Sequence, residues 1–356
     1  MFYKYEIKNN GTEDILYLYL TMSYEFSKEL GYNTNDSDMT RRTKNFIENK
    51  GINFNGSKVY LVIDDIIVKA LDIGKDQPNI ELLKDALYYS NDHYLVKLKL
   101  ENGAMIEITL REFLLGTLSS IIVPNLEKET LKAICVLYRT YAFKEMQENG
   151  FISSTNQFMI YKPISYYKLS WITNYDDIVK NLNTIMDETD CIFVTYNHSY
   201  ILPYIHYCNN GKTQANKSIH YLNEVLSLWD LASPYYINIK DYSYQDISKL
   251  LKTKITNKSI FKILNMDNHT LLSKFKIDDS IYIGEEFIKL LDLKSRDLNI
   301  IINRDYIRFI SKGWGEFLGL SIFGSNEIAR NGCNFANIIK YYFPNVTLNK
   351  YIKELS

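Results

Sequence analysis

The sequence has 356 residues, 46% of them hydrophobic and 23% charged, with a formal net charge of −1. This hydrophobic content supports a packed core and excludes a globally disordered chain, and the length predicts two domains. A chain without a basic surplus is not expected to be a general nucleic-acid-binding protein.

Residues 1–75 predict a small β-rich unit. Strands are predicted at 2–8, 15–20, 58–63 and 66–71. The first two flank Asn9-Asn10-Gly11, which is a hairpin signal. A polar helix is expected over 38–49. Residues 76–92 carry proline and charge, and they predict a linker with a short helix.

A second unit is predicted over 93–352. Strands at 93–100 and 104–110 form a hairpin, and Thr109 and Glu112 have the spacing of a capping box, so a helix begins at Leu110. A further helix is predicted over 126–148, closed by Asn149-Gly150. Its apolar side chains recur at helical spacing: Leu131, Ile134, Cys135, Tyr138 and Ala142. Further strands at 191–196 and 235–239 and helices at 325–330 and 335–342 complete an α+β fold with antiparallel strands around a cleft.

Two cations lie at the edge of the apolar stripe of this second helix. Lys132 and Arg139 are seven residues apart and therefore share one side of the helix. They suit the rim of a cleft, but the charge pattern alone favours an ordinary solvated helix face.

Three ordered segments resemble the stage II sporulation protein D / amidase-enhancer (SpoIID/LytB) family of bacterial cell-wall proteins. The first, 110–143, contains LREFLLG, LKA and RTYA. The second, 195–213, contains YNHSYILPYIHY and ends in Gly-Lys-Thr. The third, 311–348, contains GWG followed by GLS, and 290–300 resembles the family segment just upstream. Together they place 93–352 in the family.

The resemblance implies glycan chemistry, yet the general acid is missing. Active family members cleave the glycan strands of peptidoglycan as lytic transglycosylases, and others stimulate a partner amidase. Such cleavage needs a carboxylic acid that protonates the glycosidic oxygen. Counting from Gly116 and from Leu131 places the family glutamate at Ile121, which can neither donate nor accept a proton.

The third segment also departs from the family, because Glu316 and Phe317 stand where the family has His-Gly. Whether this chain is an enzyme is therefore left open by the sequence. The favoured interpretation is a catalytically degenerate member that binds peptidoglycan glycan or a partner protein. The alternative is an active lytic transglycosylase with Glu316 as a relocated acid. A third possibility is a regulatory protein in which residues 1–75 dock a partner.

The resemblance also predicts the residues of a glycan-binding cleft. Lys132, Arg139, Tyr141 and His206 stand where the family has the same residues. We add Trp314, because its flanking glycines leave room for a sugar ring to stack on the indole. The partners expected are stem-free peptidoglycan strands, a cell-wall amidase or a sporulation protein.

No metal or cofactor is predicted. His198, His206, Cys208 and His220 lie close in sequence, but their spacing is not that of a zinc site. The four cysteines are scattered and predict reduced thiols. No signal peptide or membrane-length apolar run is visible, which predicts a cytoplasmic chain, whereas the family resemblance predicts the cell envelope.

Overall fold

A computed structural model describes residues 2–9, 14–20, 43, 46–47, 50–52, 58–63, 66–72, 80–84, 89–121, 126–171, 173–267 and 271–352. It confirms an α+β protein built from helices and several separate sheets. Backbone contacts divide the chain into one unit of Met1–Asn79 with Ile328–Asn334 and another of Ile80–Glu327 with Phe335–Ser356. The domain bounds 1–75, 76–92 and 93–352 stay a prediction.

The first unit contains a four-stranded sheet. Its strands, in spatial order, are β1 (Phe2–Asn9), β2 (Asp14–Leu20), β3 (Lys58–Ile63) and β4 (Ile66–Asp72). β1 and β2 are antiparallel, as predicted for a hairpin, and β3 and β4 are also antiparallel, whereas β2 and β3 are parallel. Alternate side chains of β2 and β3, including Leu16, Leu18, Val59 and Leu61, form the core of this unit. The predicted helix over 38–49 lies mostly outside the described residues.

The remaining elements follow in chain order. The helices are α1 (Leu110–Ser119), α2 (Lys128–Glu148), α3 (Tyr175–Glu188), α4 (Tyr244–Leu251), α5 (Gly284–Leu290), α6 (Ile322–Arg330) and α7 (Phe335–Tyr342). The strands are β5 (Glu81–Lys84), β6 (Leu95–Lys99), β7 (Met105–Thr109), β8 (Ile152–Ser153), β9 (Ile192–Tyr196), β10 (Ser199–Tyr200), β11 (Ile205–His206), β12 (Ile237–Ser243), β13 (Phe261–Asp267), β14 (Leu271–Ile277), β15 (Ser280–Ile283), β16 (Leu298–Ile302), β17 (Tyr306–Lys312), β18 (Leu320–Ser321) and β19 (Thr347–Ile352).

The helix predictions from 110 to 148 are confirmed. The Thr109 hydroxyl accepts a hydrogen bond from the Glu112 amide, and the Glu112 carboxylate accepts one from the Thr109 amide, which completes the capping box. α2 ends at Glu148 with Asn149 as its C-cap, and Gly150 follows with a φ of 73°. The predicted hairpin of β6 and β7 is also present.

α2 is the central helix of the second unit, in contact with α1, α3, α7 and β9. Its side chains are buried from Thr130 to Phe143 with the exception of Lys132. A helix that is buried on all sides is a core helix rather than an amphipathic one. The apolar stripe predicted for α2 is therefore part of a wider buried surface.

The prediction of a short helix in 76–92 is wrong at Glu81–Lys84. These residues form β5, which pairs in parallel with β19 at the end of a sheet ordered β10-β9-β19-β5. The partner strand is the last one that the structure describes, more than 260 positions further along the chain, so no local pattern could reveal the pairing.

Residues 237–312 form a compact insertion within the second unit, which we call the inserted module. It contains one sheet of β12-β17-β16 and another of β13-β14-β15. Its own hydrophobic core includes Ile247, Phe275, Phe287 and Phe309. Because Ile237 pairs with Lys312, the module begins and ends at neighbouring positions.

Candidate functional site

A groove of about 1080 Å³ lies within the second unit and is lined by three groups of residues. One group comes from 156–158, 203–206 and 214–218 in the body of the unit. The second comes from the inserted module and comprises Met266, Asp267, Leu271, Glu285, Lys289 and Arg296. The third is Gly315, Glu316 and Leu318 of residues 311–324, which we call the glycine-rich segment. Part of the third segment that resembles the family, 311–348, therefore lies at the groove.

The glycines of this segment allow two stretches of backbone to approach closely. Gly315 has a φ of 120°, and a Cβ placed there would be 2.6 Å from the Cβ of His206. Gly319 has a φ of 66°, and a Cβ there would be 2.3 Å from the Tyr204 carbonyl oxygen. Only glycine adopts such a conformation and leaves this space free. The resulting close approach lets β11 pair in parallel with β18.

His206 lines the groove, although its side chain is 4% exposed. Its Nδ1 lies 3.0 Å from the Leu318 carbonyl oxygen, and its Nε2 lies 3.2 Å from the Asn209 amide nitrogen. This pattern fits a neutral ring in which Nδ1 donates and Nε2 accepts. Burial lowers the pKa of His206 to about 4, in agreement with a neutral imidazole.

Behind His206 lies the buried carboxylate of Asp230, which is held by uncharged donors. The Asn209 amide nitrogen donates to Asp230 at 2.7 Å, and the hydroxyls of Ser227 and Ser321 each donate at 2.6 Å. Burial raises the pKa of Asp230 to about 6, although these donors act in the opposite direction. The network holds β18 and the loop before β12 together behind the groove.

Arg296 of the inserted module lies among three acidic side chains at the groove. Its guanidinium donates to Asp267 at 2.6 Å and to Glu316 at 3.0 Å, and Glu285 lies 4.0 Å away. The Arg296 side chain is 10% exposed. The ion pair therefore ties the glycine-rich segment to the inserted module, and Glu316 serves as its acceptor.

Aromatic and amide side chains also line the groove. The rings of Phe158 and Tyr204 meet edge to face with centroids 5.2 Å apart. Asn156, Gln157 and Asn216 also line the groove. Apolar ring faces beside amide donors and acceptors form a surface that can bind a polar ligand with flat apolar faces.

Of the five predicted cleft residues, the structure brings only His206 to the groove. Tyr141 is buried behind it, with its ring 5.5 Å from that of Phe158. Trp314 stacks on Tyr207 at 4.2 Å, and the Lys294 ammonium lies 4.8 Å from its ring centre. The space predicted beside the indole is thus occupied by the protein itself.

Both sequence interpretations of Arg139 are wrong, because its side chain is completely buried. The guanidinium donates to the backbone carbonyls of Thr189 and Ile192 and to the Asn91 side-chain oxygen. These bonds join α2 to the residues after α3, to the start of β9 and to Asn91, which precedes β6. Lys132 lies near the surface, where it pairs with Glu129 at 2.5 Å and with Glu188 at 2.8 Å.

Ile121 lies in the turn after α1, where its amide donates to the Leu118 carbonyl oxygen at 3.1 Å. Its side chain is partly buried and does not line the groove. In the described ranges, no three His, Cys, Asp or Glu side chains come together as a metal site would require. None of the described helices has the length and apolarity needed to cross a bilayer.

Comparison with known proteins gives one family. The model described as the stage II sporulation protein SpoIID matches residues 101–196. Stage II sporulation protein D of Bacillus subtilis (strain 168) is 26% identical over 272 residues, covering 70% of this chain and 79% of that protein. These matches make the chain similar to SpoIID family proteins. The Bacillus amyloliquefaciens protein of the same name is 24% identical over 263 residues, covering 70% and 76%.

Three side chains at or behind the groove were not predicted from the sequence. Arg296 lies in the segment 290–300 that resembles the family, but nothing local indicated an ion pair with Glu316. Asn209 and Asp230 carried no motif of their own. A signal was present for Asp230, because an acidic residue amid Leu228, Trp229 and Leu231 is unusual unless it is anchored by hydrogen bonds.

Proposed function

We propose that this chain is a catalytically degenerate SpoIID family protein that binds the glycan strands of peptidoglycan in the groove. The loss of catalysis in this proposal is carried by Ile121. It occupies the position that the family resemblance assigns to the general acid, and an aliphatic side chain cannot protonate a glycosidic oxygen. Loss of a general acid removes about 10²–10⁴ in rate.

The lining of the groove supports a saccharide ligand. Phe158 and Tyr204 offer ring faces and edges to the apolar faces of sugars, and the amides of Asn156 and Asn216 can bond to hydroxyl or acetamido groups. The volume of about 1080 Å³ accommodates several sugar rings. A protein partner, such as an amidase or another sporulation protein, would occupy the same surface. Its binding would not require peptidoglycan strands that lack peptide stems.

A second candidate is an active lytic transglycosylase with Glu316 as the acid, favoured by its position at the groove. Against this, the Glu316 carboxylate accepts a hydrogen bond from Arg296 at 3.0 Å. A general acid must instead donate a proton to the leaving oxygen. The degenerate interpretation therefore has better support.

The deciding experiment measures release of anhydro-sugar products from stem-free peptidoglycan strands by mass spectrometry. We expect no product from the wild type. Ile121→Glu restores cleavage if the family active site survives around that turn, and Ile121→Gln, which has the same size without the acid, stays silent. Product from the wild type that disappears in Glu316→Gln would instead establish the second candidate.

Binding is measured in parallel by co-sedimentation with the same strands. Tyr204→Ala is expected to weaken binding about tenfold, because one stacking face is lost. Tyr166→Ala, an exposed tyrosine that does not line the groove, is the matched control. Failure of the wild type to bind glycan would reject the glycan-binding part and leave a protein partner as the ligand.

A further inference from the structure

The inserted module carries a cluster of positive charge that the proposed function does not use. Between residues 249 and 276 the sequence has seven lysines, no arginine and one acidic residue, Asp267. That carboxylate is paired with Arg296 at 2.6 Å. The whole chain has a net charge of −1, so this stretch is strongly basic relative to its surroundings.

Strand register places three of these lysines on one face of the sheet β13-β14-β15. On β14, Phe275 and Ile277 point into the core of the module, so the alternating Lys274 and Lys276 lie on the outer face. Lys262 of β13 is directly opposite Lys276. A cross-strand pair of like charges destabilises a sheet, and an anionic partner would relieve this repulsion.

Isoleucines continue the same face. Ile281 of β15 lies opposite Lys276, and Ile283 lies opposite Lys274. Their side chains are 57% and 51% exposed. We call the surface formed by Lys262, Lys274, Lys276, Ile281 and Ile283 the lysine–isoleucine face.

The acidic residues of the adjoining turn have partners of their own. Asp279 pairs with Lys276 at 3.1 Å, and Asp278 accepts a hydrogen bond from the Ile260 amide. Among the described residues, Lys262 and Lys274 have no carboxylate within 4.0 Å. The face therefore keeps an uncompensated positive charge.

We propose that the lysine–isoleucine face binds the surface of an anionic lipid bilayer. Lysines attract anionic headgroups, and exposed aliphatic side chains beside them can enter the boundary between headgroups and acyl chains. A soluble polyanion would contact only the lysines and would leave the exposed isoleucines without an apolar partner. Nucleic acid is disfavoured because this stretch has no arginine and its phenylalanines pack toward the core of the module.

The test is co-sedimentation of the full chain with vesicles that mix phosphatidylglycerol and phosphatidylcholine, compared with vesicles of pure phosphatidylcholine. We expect binding to the anionic vesicles alone, weakened by about 0.5 M NaCl. The triple variant Lys262→Gln, Lys274→Gln, Lys276→Gln should bind roughly 100-fold more weakly, since each surface lysine contributes about a fivefold factor. The control variant Lys97→Gln, Lys168→Gln, Lys180→Gln removes three exposed lysines elsewhere and should bind as the wild type does.

The aliphatic contribution is tested separately with Ile281→Ser, Ile283→Ser, which should weaken vesicle binding while all lysines remain. Polyphosphate of matched charge is the second probe. If the wild type ignores anionic vesicles, or if the lysine triple variant binds them unchanged, the proposal is wrong. If polyphosphate is bound and vesicles are not, the partner is a soluble polyanion and the lipid assignment is overturned.

Discussion

At the scale of single residues, the pKa values of His206 and Asp230 are shifted in opposite directions. The Asn209 amide group lies between them, and it donates one proton toward the His206 ring and one to the Asp230 carboxylate. Burial disfavours the charged form of each residue, so it lowers the pKa of the histidine and raises that of the aspartate. Between about pH 4 and 6, the folded protein therefore favours the neutral form of both side chains.

This pair predicts an unusual dependence of stability on pH. Asp230, with a pKa of about 6 when folded against 3.8 unfolded, binds more protons in the folded state, so its contribution to the free energy of unfolding falls as pH rises from 4 to 6. His206, with a pKa of about 4 against 6.5, binds fewer protons when folded, so its contribution rises over the same range. The two contributions are each about 3 kcal/mol and nearly cancel in the wild type.

Substitution of either residue should reveal how the other one changes the free energy of unfolding with pH. In Asp230→Asn, the free energy of unfolding in urea is expected to rise by about 2 kcal/mol between pH 4.5 and 6.5. In His206→Gln it should fall by about the same amount. If the free energy of unfolding depended on pH in the same way in both variants, the opposite pKa shifts of His206 and Asp230 would be contradicted.

At the scale of elements, the glycine-rich segment acts through its backbone. Gly319 and Gly150 both have positive φ, 66° and 73°, but they differ in the space around them. A Cβ at Gly319 would meet the Tyr204 carbonyl oxygen at 2.3 Å, whereas nothing lies within 4 Å of a Cβ at Gly150. Substitutions at these two positions therefore distinguish the energetic cost of the backbone conformation from the cost of close packing.

We expect Gly150→Ala to lower the free energy of unfolding by about 1–2 kcal/mol, the cost of a left-handed conformation for alanine. Gly319→Ala should cost about 3–5 kcal/mol, because overpacking adds to the same conformational cost. Thermal or urea unfolding of both variants measures the difference. Equal losses would show that the approach of β18 to Tyr204 is not tight.

Local signals account for what the sequence predicted well. The capping box at Thr109 and the Asn149-Gly150 stop lie within a few residues of the helices they bound, and α1 and α2 begin and end close to the predicted positions. The burial of Arg139 was not predictable, because Asn91, Thr189 and Ile192 supply its acceptors from distant parts of the chain. The ion pair of Arg296 with Glu316 likewise depends on the fold of the inserted module.

At the scale of the molecule, the inserted module resembles a small domain grafted into the second unit. It has its own core, and its first and last strands, β12 and β17, are paired along their length. Such a unit can open without disturbing the rest of a structure. Phe287 lies at the centre of its core, with its ring 4.4 Å from that of Phe275.

Phe287→Ala should therefore destabilise the module selectively. The cavity is expected to cost about 3–5 kcal/mol. Hydrogen–deuterium exchange should accelerate at amides in 237–312 and remain unchanged in α2. Equal acceleration in α2 would mean that the second unit unfolds as one cooperative body.

The position of β19 has a consequence for synthesis of the protein. This strand lies inside its sheet, between β9 and β5, although it comes from residues 347–352. While the ribosome is still translating the preceding residues, β9 and β5 each present an edge whose partner does not yet exist. Pairings between such distant residues form slowly, and open edges attract other chains. The nascent chain must therefore keep these edges apart until translation has passed Ile352, and a transcript interrupted before Thr347 would yield a product prone to aggregation.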